Sequence, residues 1–248
     1  MAAEMEEGDR ALSVVAAPRL LRIIVLFAQT ALITAGTLGF SVEPGIYCRR
    51  MNEADWLAYN SLAWTDELLA PPEEYETEVQ IYTDQIRHHA SGTPRTMLHL
   101  GSGAGGMDAL FARHFEVTGV DLSSGMLEIA RRRHPGIRYL RGDMRTLRLG
   151  ERFDVVAIPD AIDYMTSEAT LVYLIRRSGE LSIQTDRHEL GLFPRDTWKT
   201  LFAQTELDVE EVPLNGIYDQ YLMDDGAYPM ALFLGTPRAT KGTLATKF

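Results

Sequence analysis

The chain has 248 residues, 46% hydrophobic and 24% charged, a composition typical of a globular protein with one sizeable core. Its net charge of −11 argues against a nucleic-acid partner, because such binding depends on Lys and Arg neutralising phosphates. The single cysteine, Cys48, excludes an internal disulfide and a multi-cysteine metal site, so we expect a reducing, cytoplasmic compartment and no bound metal.

Residues 1–50 form an N-terminal extension that differs in character from the rest of the chain. An acidic start is followed by an apolar run over 23–40 that contains no charged residue, and we expect this run to be helical. Its length touches the lower limit for a membrane span, although polar and glycine residues dilute it. Three interpretations are open: a poorly packed extension or upstream start, a helix docked on the domain or a partner, and, least favoured, membrane contact through residues 20–40.

A compact domain is predicted over 51–238, followed by a loose tail over 239–248. Amphipathic patterning predicts helices over 52–69 and 73–89 at its start. Four apolar strands then alternate with two helices, which indicates an α/β fold with a parallel sheet. The predicted strands are Thr96–Leu100, 115–120, 137–141 and 153–158, and the helices between them are 107–114 and Ser124–Arg133.

Four glycines separate the first of these strands from the helix after it: Gly101, Gly103, Gly105 and Gly106. A strand, a glycine turn and a helix N-terminus together allow backbone N–H groups to approach a ligand closely. The spacing fits both the G-x-G-x-x-G of dinucleotide sites and the G-x-G-x-G of methyl-donor sites. A tight turn without a ligand would show the same pattern, so the glycines alone do not identify the ligand.

Acidic residues follow the next strands of the predicted sheet. Asp121 stands about 20 residues after the first glycine, where a Rossmann-like site places a carboxylate against ribose hydroxyls. The alternative is that Asp121 merely caps the next helix together with Ser123. Asp143 beside Met144 suits an adenine, because the carboxylate can accept from the exocyclic amine while the thioether covers the ring. These loops share the edge at which open α/β sheets bind ligands.

As a set, the segments 98–106, 117–123, 142–144 and 153–156 resemble the class I S-adenosylmethionine-dependent methyltransferases of the small-molecule type. The resemblance implies a Rossmann-like, doubly wound, mostly parallel sheet with N-terminal helices, and S-adenosylmethionine as cofactor. The family commonly has an acidic residue at the position of His99, which puts a carboxylate contact to the cofactor's amino group in doubt. The implied cofactor contacts are Gly101, Gly103 and Gly105 to the methionine part, Asp121 to ribose, Asp143 and Met144 to adenine, and Asp160 near the sulfonium, with Ser102, Leu122 and Met126 completing the set.

Methyl transfer from a sulfonium is an in-line displacement, so positioning supplies most of the catalysis. An acidic acceptor also needs a base within hydrogen-bond reach. The candidate catalytic residues are Asp160, Tyr164 and His188, with Asp163 and Asp186 as further candidate bases. The alternative interpretation of Asp186, Arg187 and His188 is a surface charge cluster or a structural ion pair.

The region after Tyr164 is short for a complete fold of this type. One interpretation is a helix over 167–177 followed by a fifth strand over 180–185. Another is a hairpin of 170–175 and 180–185, in which case the fifth strand is missing. We therefore expect a domain shortened around its fifth strand. Beyond it the pattern predicts a helix over 194–205 and final strands over 207–212 and 230–234.

The predicted function is S-adenosylmethionine-dependent methyl transfer to a small-molecule acceptor. One alternative is a catalytically impaired remnant that only binds the cofactor, an interpretation motivated by the short region around the fifth strand. Another is a NAD(P)-dependent oxidoreductase, which the pair Asp143-Met144 and the absence of a recognisable hydride-transfer set disfavour. The sequence does not determine the acceptor or the oligomeric state.

Overall fold

A seven-stranded sheet forms the centre of the molecule. The computed structural model describes residues 56–159, 168–177, 180–189, 195–214 and 230–238, together with the backbone of 23–29. The strands in chain order are β1 (Ile23–Gln29), β2 (Thr96–Leu100), β3 (Glu116–Asp121), β4 (Arg138–Arg141), β5 (Val155–Ile158), β6 (Glu168–Arg177), β7 (Glu180–Glu189), β8 (Leu207–Pro213) and β9 (Met230–Pro237). The large sheet has the order β4-β3-β2-β5-β1-β9-β8, while β6 and β7 pair with each other.

The sheet is mostly parallel, which confirms the predicted Rossmann-like α/β class. Neighbouring strands from β4 through to β1 all run parallel, and β9 is antiparallel to both of its neighbours. The inner strands β2 and β5 are almost wholly buried, as their short apolar runs predict for strands covered on both faces.

Helices cover both faces of the sheet. They are α1 (Asp66–Leu69), α2 (Glu76–His89), α3 (Gly106–Phe111), α4 (Ser124–Arg133) and α5 (Arg195–Ala203), with short 3-10 turns at Ala63–Thr65 and Pro72–Tyr75. Alternate residues of β2 enter two different cores, because successive strand side chains point to opposite faces. Met97 packs with Tyr82 of α2 and Phe111 of α3, whereas Leu98 packs with Trp198 and Phe202 of α5.

The N-terminal segment supplies a central strand of the sheet, and this corrects two expectations. Ile23–Gln29 is a β-strand rather than part of a helix, and it lies between β5 and β9. It pairs in parallel with β5, from Ile23 opposite Val155 to Leu26 opposite Ile158, and antiparallel with β9. The place beside β5, where a fifth strand seemed to be missing, is therefore taken by a segment that precedes β2 in the chain. The predicted domain over 51–238 does not contain all of its strands.

The segment after β5 forms the hairpin that was one of two interpretations. β6 and β7 pair antiparallel over their whole length, from Glu168 opposite Glu189 to Arg177 opposite Glu180. The alternative helix over 167–177 is thereby wrong. The helix α5 and the final strands β8 and β9 lie within a few residues of their predicted positions.

The predicted helix over 52–69 is mostly replaced by turns. Residues 57–62 form turns closed by bonds such as Leu62 N to the Leu57 carbonyl, at 2.7 Å, and only Asp66–Leu69 is α-helical. The backbone N–H of Ala58 donates to Asp186 of β7, which takes it out of a helical pattern. The second predicted helix is confirmed as α2 with its preceding 3-10 turn.

Some expectations fall outside the described residues. They are the acidic start, the apolar run beyond Gln29, and the tail over 239–248. Among the residues that are described, none of the helices combines the length and the apolar character needed to cross a bilayer.

We expect Val25→Pro to destabilise the whole domain. Val25 lies opposite Ala157 on one side and Leu234 on the other, so proline would remove a ladder donor inside the sheet and leave its acceptor unpaired. The free energy of unfolding in urea should fall by at least about 2 kcal/mol. Val25→Ile keeps the backbone donor and is the matched control. Equal stability of the two variants would show that β1 is not an inner strand.

Candidate functional site

The glycine turn after β2 depends on three residues with left-handed backbone. The φ angles are +77° at Gly101, +54° at Gly103 and +81° at Gly105, values that side-chain-bearing residues rarely adopt. The backbone N–H groups of Gly101 and Ser102 both donate to the carbonyl of Val120 in β3, at 2.7 and 3.0 Å. The turn is therefore fixed against the end of the neighbouring strand.

Asp121 joins this turn to the start of α4. Its Oδ2 accepts from the backbone N–H of Gly103 and its Oδ1 from that of Ser123, each at 2.8 Å. Burial raises the pKa of the Asp121 carboxyl above its usual range, while these N–H donors and the nearby His99 act in the opposite direction. An ionised carboxylate has about four acceptor positions, so Asp121 can still accept from a ligand.

The helix cap and the candidate ribose ligand are different residues. Ser123 is the N-cap of α4, and its Oγ accepts from the backbone N–H of Met126 at 3.1 Å. The same hydroxyl donates to the backbone carbonyl of Tyr59. Asp121 thus does not occupy the N-cap position, and its carboxylate joins the glycine turn to the start of the helix.

The turn has open space on one side and dense packing on the other. A Cβ built on Gly103 would have no atom within 4 Å, whereas one on Gly105 would lie 2.4 Å from the Tyr139 hydroxyl. A Cβ on Gly119 of β3 would lie 2.6 Å from the Tyr139 ring. Tyr139 thus fills the space beneath the turn, and the open side lies at Gly103, beside the Asp121 carboxylate. The remaining acceptor capacity of that carboxylate fits a hydroxyl-bearing, polar cofactor.

A buried polar cluster that the sequence did not predict supports the turn from below. His99 Nδ1 lies 2.6 Å from Asp108 Oδ1, and the two side chains are 3% and 0% exposed. His99, Gly119 and Tyr139 are in register across β2, β3 and β4. Burial, and then the charge of Asp108, raise the pKa of Tyr139, so its hydroxyl stays protonated. Asp108 of α3 thus places a carboxylate against the His99 ring. The sequence offered one signal for this cluster, which is an acidic residue among the apolar residues Met107, Leu110 and Phe111 of a short helix.

The candidate adenine ligands lie at the end of β4. Both oxygens of Asp143 contact the guanidinium of Arg145, with Nη2 at 2.5 Å from Oδ2, and the Arg145 hydrogen bonds hold the pKa of this carboxyl below its usual range. Met144 packs against the apolar core that includes Leu100 and Val120. Arg145 was not predicted as part of this site, although it stands only two residues from Asp143.

The other predicted cofactor residues surround the turn. Met126 and Ser102 are buried, and the Ser102 Oγ has no hydrogen-bond partner within the described part of the chain. The carbonyl of Leu122 accepts from Arg141 Nε at 3.2 Å.

The structure describes only some of the candidate catalytic residues. Asp160, Asp163 and Tyr164 lie outside the described residues. For His188 the backbone alone is described, opposite Ala169 in the hairpin. Asp186 is buried, and its Oδ2 accepts from the backbone N–H of Ala58 at 2.6 Å. Among the described residues, no group of three or more His, Cys, Asp and Glu side chains could hold a metal ion.

Comparison with known proteins agrees with this geometry. Residues 97–178 match the family model described as a methyltransferase domain. A trans-aconitate 2-methyltransferase from Methylobacterium nodulans is 29% identical over 128 residues, which are 50% of this chain and 46% of that protein. The chain thus spans about half the length of this curated relative.

Solved structures share the fold at low sequence identity. An S-adenosylmethionine-dependent methyltransferase from Clostridium acetobutylicum is 13% identical with a TM-score of 0.54, covering 72% of this chain and 98% of that one. The sugar N-methyltransferase KedS8 from Streptoalloteichus is 16% identical with a TM-score of 0.52, covering 82% and 100%. Streptomyces venezuelae DesVI is 19% identical with a TM-score of 0.51, covering 77% and 100%.

We expect Gly105→Ala to destabilise the fold more than Gly103→Ala. Both substitutions place a side chain at positive φ, at a cost of about 1–2 kcal/mol. Only Gly105 adds a collision, 2.4 Å from the Tyr139 hydroxyl. Urea unfolding of ligand-free protein measures the difference. Tyr139→Phe should recover part of the Gly105→Ala loss and none of the Gly103→Ala loss, and an equal loss in both glycine variants would contradict the packing under the turn.

Proposed function

We propose that this chain, whose residues 97–178 match the methyltransferase-domain model, is a class I S-adenosylmethionine-dependent methyltransferase that transfers a methyl group to a small-molecule acceptor. One observation carries the proposal: a half-buried carboxylate, Asp121, is held against the glycine turn by the Gly103 N–H. The carboxylate lies beside open space at that point, which suits the hydroxyl-bearing sugar part of the cofactor.

The residues around the turn divide the cofactor between them in this proposal. The turn Gly101–Gly105 would hold the methionine part, Asp121 the ribose hydroxyls, and Asp143 with Met144 the adenine. The bound cofactor supplies a methyl group on a positively charged sulfonium. The chain's own contribution is to orient the two reactants in line and to exclude water from them. The Asp121 carboxylate at the end of β3 also favours a cationic ligand.

The acceptor is proposed to be a small molecule of the kind that the relatives' names describe. The curated relative is named for a polycarboxylic acid, and one structural neighbour is named as a sugar N-methyltransferase. The net charge of −11 agrees with an acceptor other than nucleic acid. An acceptor screen should therefore include both carboxylic acids and amino sugars. We propose a cytoplasmic location for the enzyme, because a single cysteine suits a reducing compartment.

A base for the acceptor would come from the region after β5 or from the hairpin. Asp160, Tyr164 and His188 are the proposed candidates. Asp160 and Tyr164 follow the carboxyl end of β5 in the chain, and His188 belongs to the hairpin of β6 and β7. The group that removes a proton from an acidic acceptor must lie within hydrogen-bond reach of it. The remnant hypothesis loses its motivation, since β1 completes the sheet.

Calorimetry of the full chain with S-adenosylhomocysteine, NAD and NADP tests the proposal. We expect binding of S-adenosylhomocysteine alone. The full chain is required because β1 belongs to the sheet. Binding of a nicotinamide cofactor without S-adenosylhomocysteine would refute the proposed function. Binding without turnover over a broad acceptor screen would instead favour the impaired remnant.

Asp121→Asn should weaken S-adenosylhomocysteine binding by about 1–3 kcal/mol, the loss of a charged hydrogen bond. Asp154→Asn is the matched control, because Asp154 also accepts several hydrogen bonds, from Arg95 and Thr96, but at the opposite edge of the sheet. The control should lose stability and keep its affinity. Equal affinities of Asp121→Asn and wild type would mean that the glycine turn does not hold the cofactor.

The same affinity should depend on pH through Asp121. Burial raises the pKa of this carboxyl in the free protein, and ribose hydroxyls would donate to its ionised form. Affinity is then full above the raised pKa of Asp121 and falls as the pH drops through it. Asp121→Asn should remove this decrease, which calorimetry over a series of acidic buffers would detect.

Substitution of the correct base should lower turnover without changing cofactor affinity. Once an acceptor is identified, we expect one of Asp160→Asn, Tyr164→Phe and His188→Asn to lower kcat about 10²-fold or more. S-adenosylhomocysteine affinity serves as the internal control. Unchanged kcat in all three variants would leave positioning as the whole of the catalysis.

A further inference from the structure

A short segment, residues 56–62, runs across the edge of the candidate cofactor site. We name it the strap. Tyr59 of the strap packs in one cluster with Ala104 of the glycine turn and Met126 of α4. The strap therefore contacts both elements that Asp121 joins, and it lies where it would cover a cofactor held between them.

One end of the contact is the N-terminus of α4. The Ser123 hydroxyl donates to the Tyr59 carbonyl. Gly125 lies against the strap so closely that an added Cβ would be 2.7 Å from the Tyr59 oxygen and 3.1 Å from the Asn60 Cα. These neighbours are backbone atoms, which cannot rotate away as a flexible side chain would. The fit of the strap on α4 thus requires glycine at position 125.

The other end of the contact is the hairpin. The Asp186 carboxylate of β7 accepts from the Ala58 N–H at 2.6 Å, across 128 positions of sequence. The side chain is 2% exposed. Burial, with the charge of Asp186 added, raises the pKa of Tyr173, which lies on the facing strand β6. A charged acceptor bonded to an N–H inside the protein is among the stronger hydrogen bonds.

We propose that Asp186 is a positioning residue that holds the strap closed over the cofactor and so slows cofactor release. The proposal rests on the proposed function, since it names the cofactor as what the strap retains. Asp186 acts through Ala58 and does not touch the reacting atoms. This positioning role takes the place of the general-base role for which the sequence made Asp186 a candidate.

The first experiment compares Asp186→Ala with Asp186→Asn. The amide oxygen of asparagine can still accept from the Ala58 N–H, so this variant should stay close to wild type. In Asp186→Ala we expect faster hydrogen exchange in the strap and an S-adenosylhomocysteine dissociation rate raised by about tenfold or more. Thr185→Ala is the matched control, because Thr185 is the exposed neighbour on the opposite face of β7.

The second experiment moves the strap without changing the hairpin. The Cβ of Gly125→Ala should displace the strap, at a cost in stability that the gain in helix propensity offsets only in part. We expect faster hydrogen exchange in the strap, unchanged exchange in the strands of the large sheet, and faster dissociation again. Gly136→Ala, with no atom within 4 Å of the added Cβ, is the control. Faster exchange in those strands as well would indicate a general loss of structure and would contradict the proposal.

The outcomes separate the two proposals. Unchanged strap exchange in Asp186→Ala would show that Asp186 does not hold the strap. A loosened strap with an unchanged dissociation rate would show that the strap does not retain the cofactor. Failure of the wild-type protein to bind S-adenosylhomocysteine would refute the proposed function and the retention by the strap, while hydrogen exchange would still decide the role of Asp186.

Discussion

The candidate site depends on one carboxylate, that of Asp121. It links the glycine turn after β2 to the start of α4, two segments that are neighbours in the fold because β2 and β3 are adjacent in the sheet. Its oxygens accept from Gly103 in the turn after β2 and from Ser123 before α4. Hydrogen bonds to a charged group contribute about 1.5–3 kcal/mol each, so these two bonds hold the turn against the start of α4. Because the same carboxylate keeps acceptor capacity, one side chain holds the turn in place and, in the proposed function, also accepts from the cofactor.

The sequence predicted those features whose pattern lies within a few consecutive residues. The glycine turn, Asp121 and the helices α2 and α5 each carry their signal within a few residues. The strand β1 does not, because a short apolar run has no periodicity that separates a buried strand from a buried helix. Only its partners, β5 and β9, identify it as a strand. The helix predicted around Ala58 failed for the same kind of reason, since a distant acceptor, Asp186, takes its N–H.

The sequence predicted the glycine turn and the position of Asp121 beside it, but it missed the residues that support the turn. Three glycines and Asp121 follow from motif spacing, whereas Asp108 and Tyr139 become visible only when β2, β3 and β4 are set in register. Asp143 was assigned to a ligand, yet Arg145 already contacts both of its oxygens. A bound adenine would share this carboxylate with a guanidinium, so its exocyclic amine would meet a carboxylate whose charge is partly neutralised.

The position of β1 has a consequence for how the chain reaches its folded state. Ile24 lies opposite Gly235, near the other end of the chain, so the centre of the sheet closes only through a very long loop. During synthesis the first strand emerges long before β9 exists to cover its second edge. An unpaired apolar strand is prone to associate with other chains in that interval. Folding of this protein should therefore be slow relative to its size, and its yield should depend on whatever shields Ile23–Gln29 until the last strand is made.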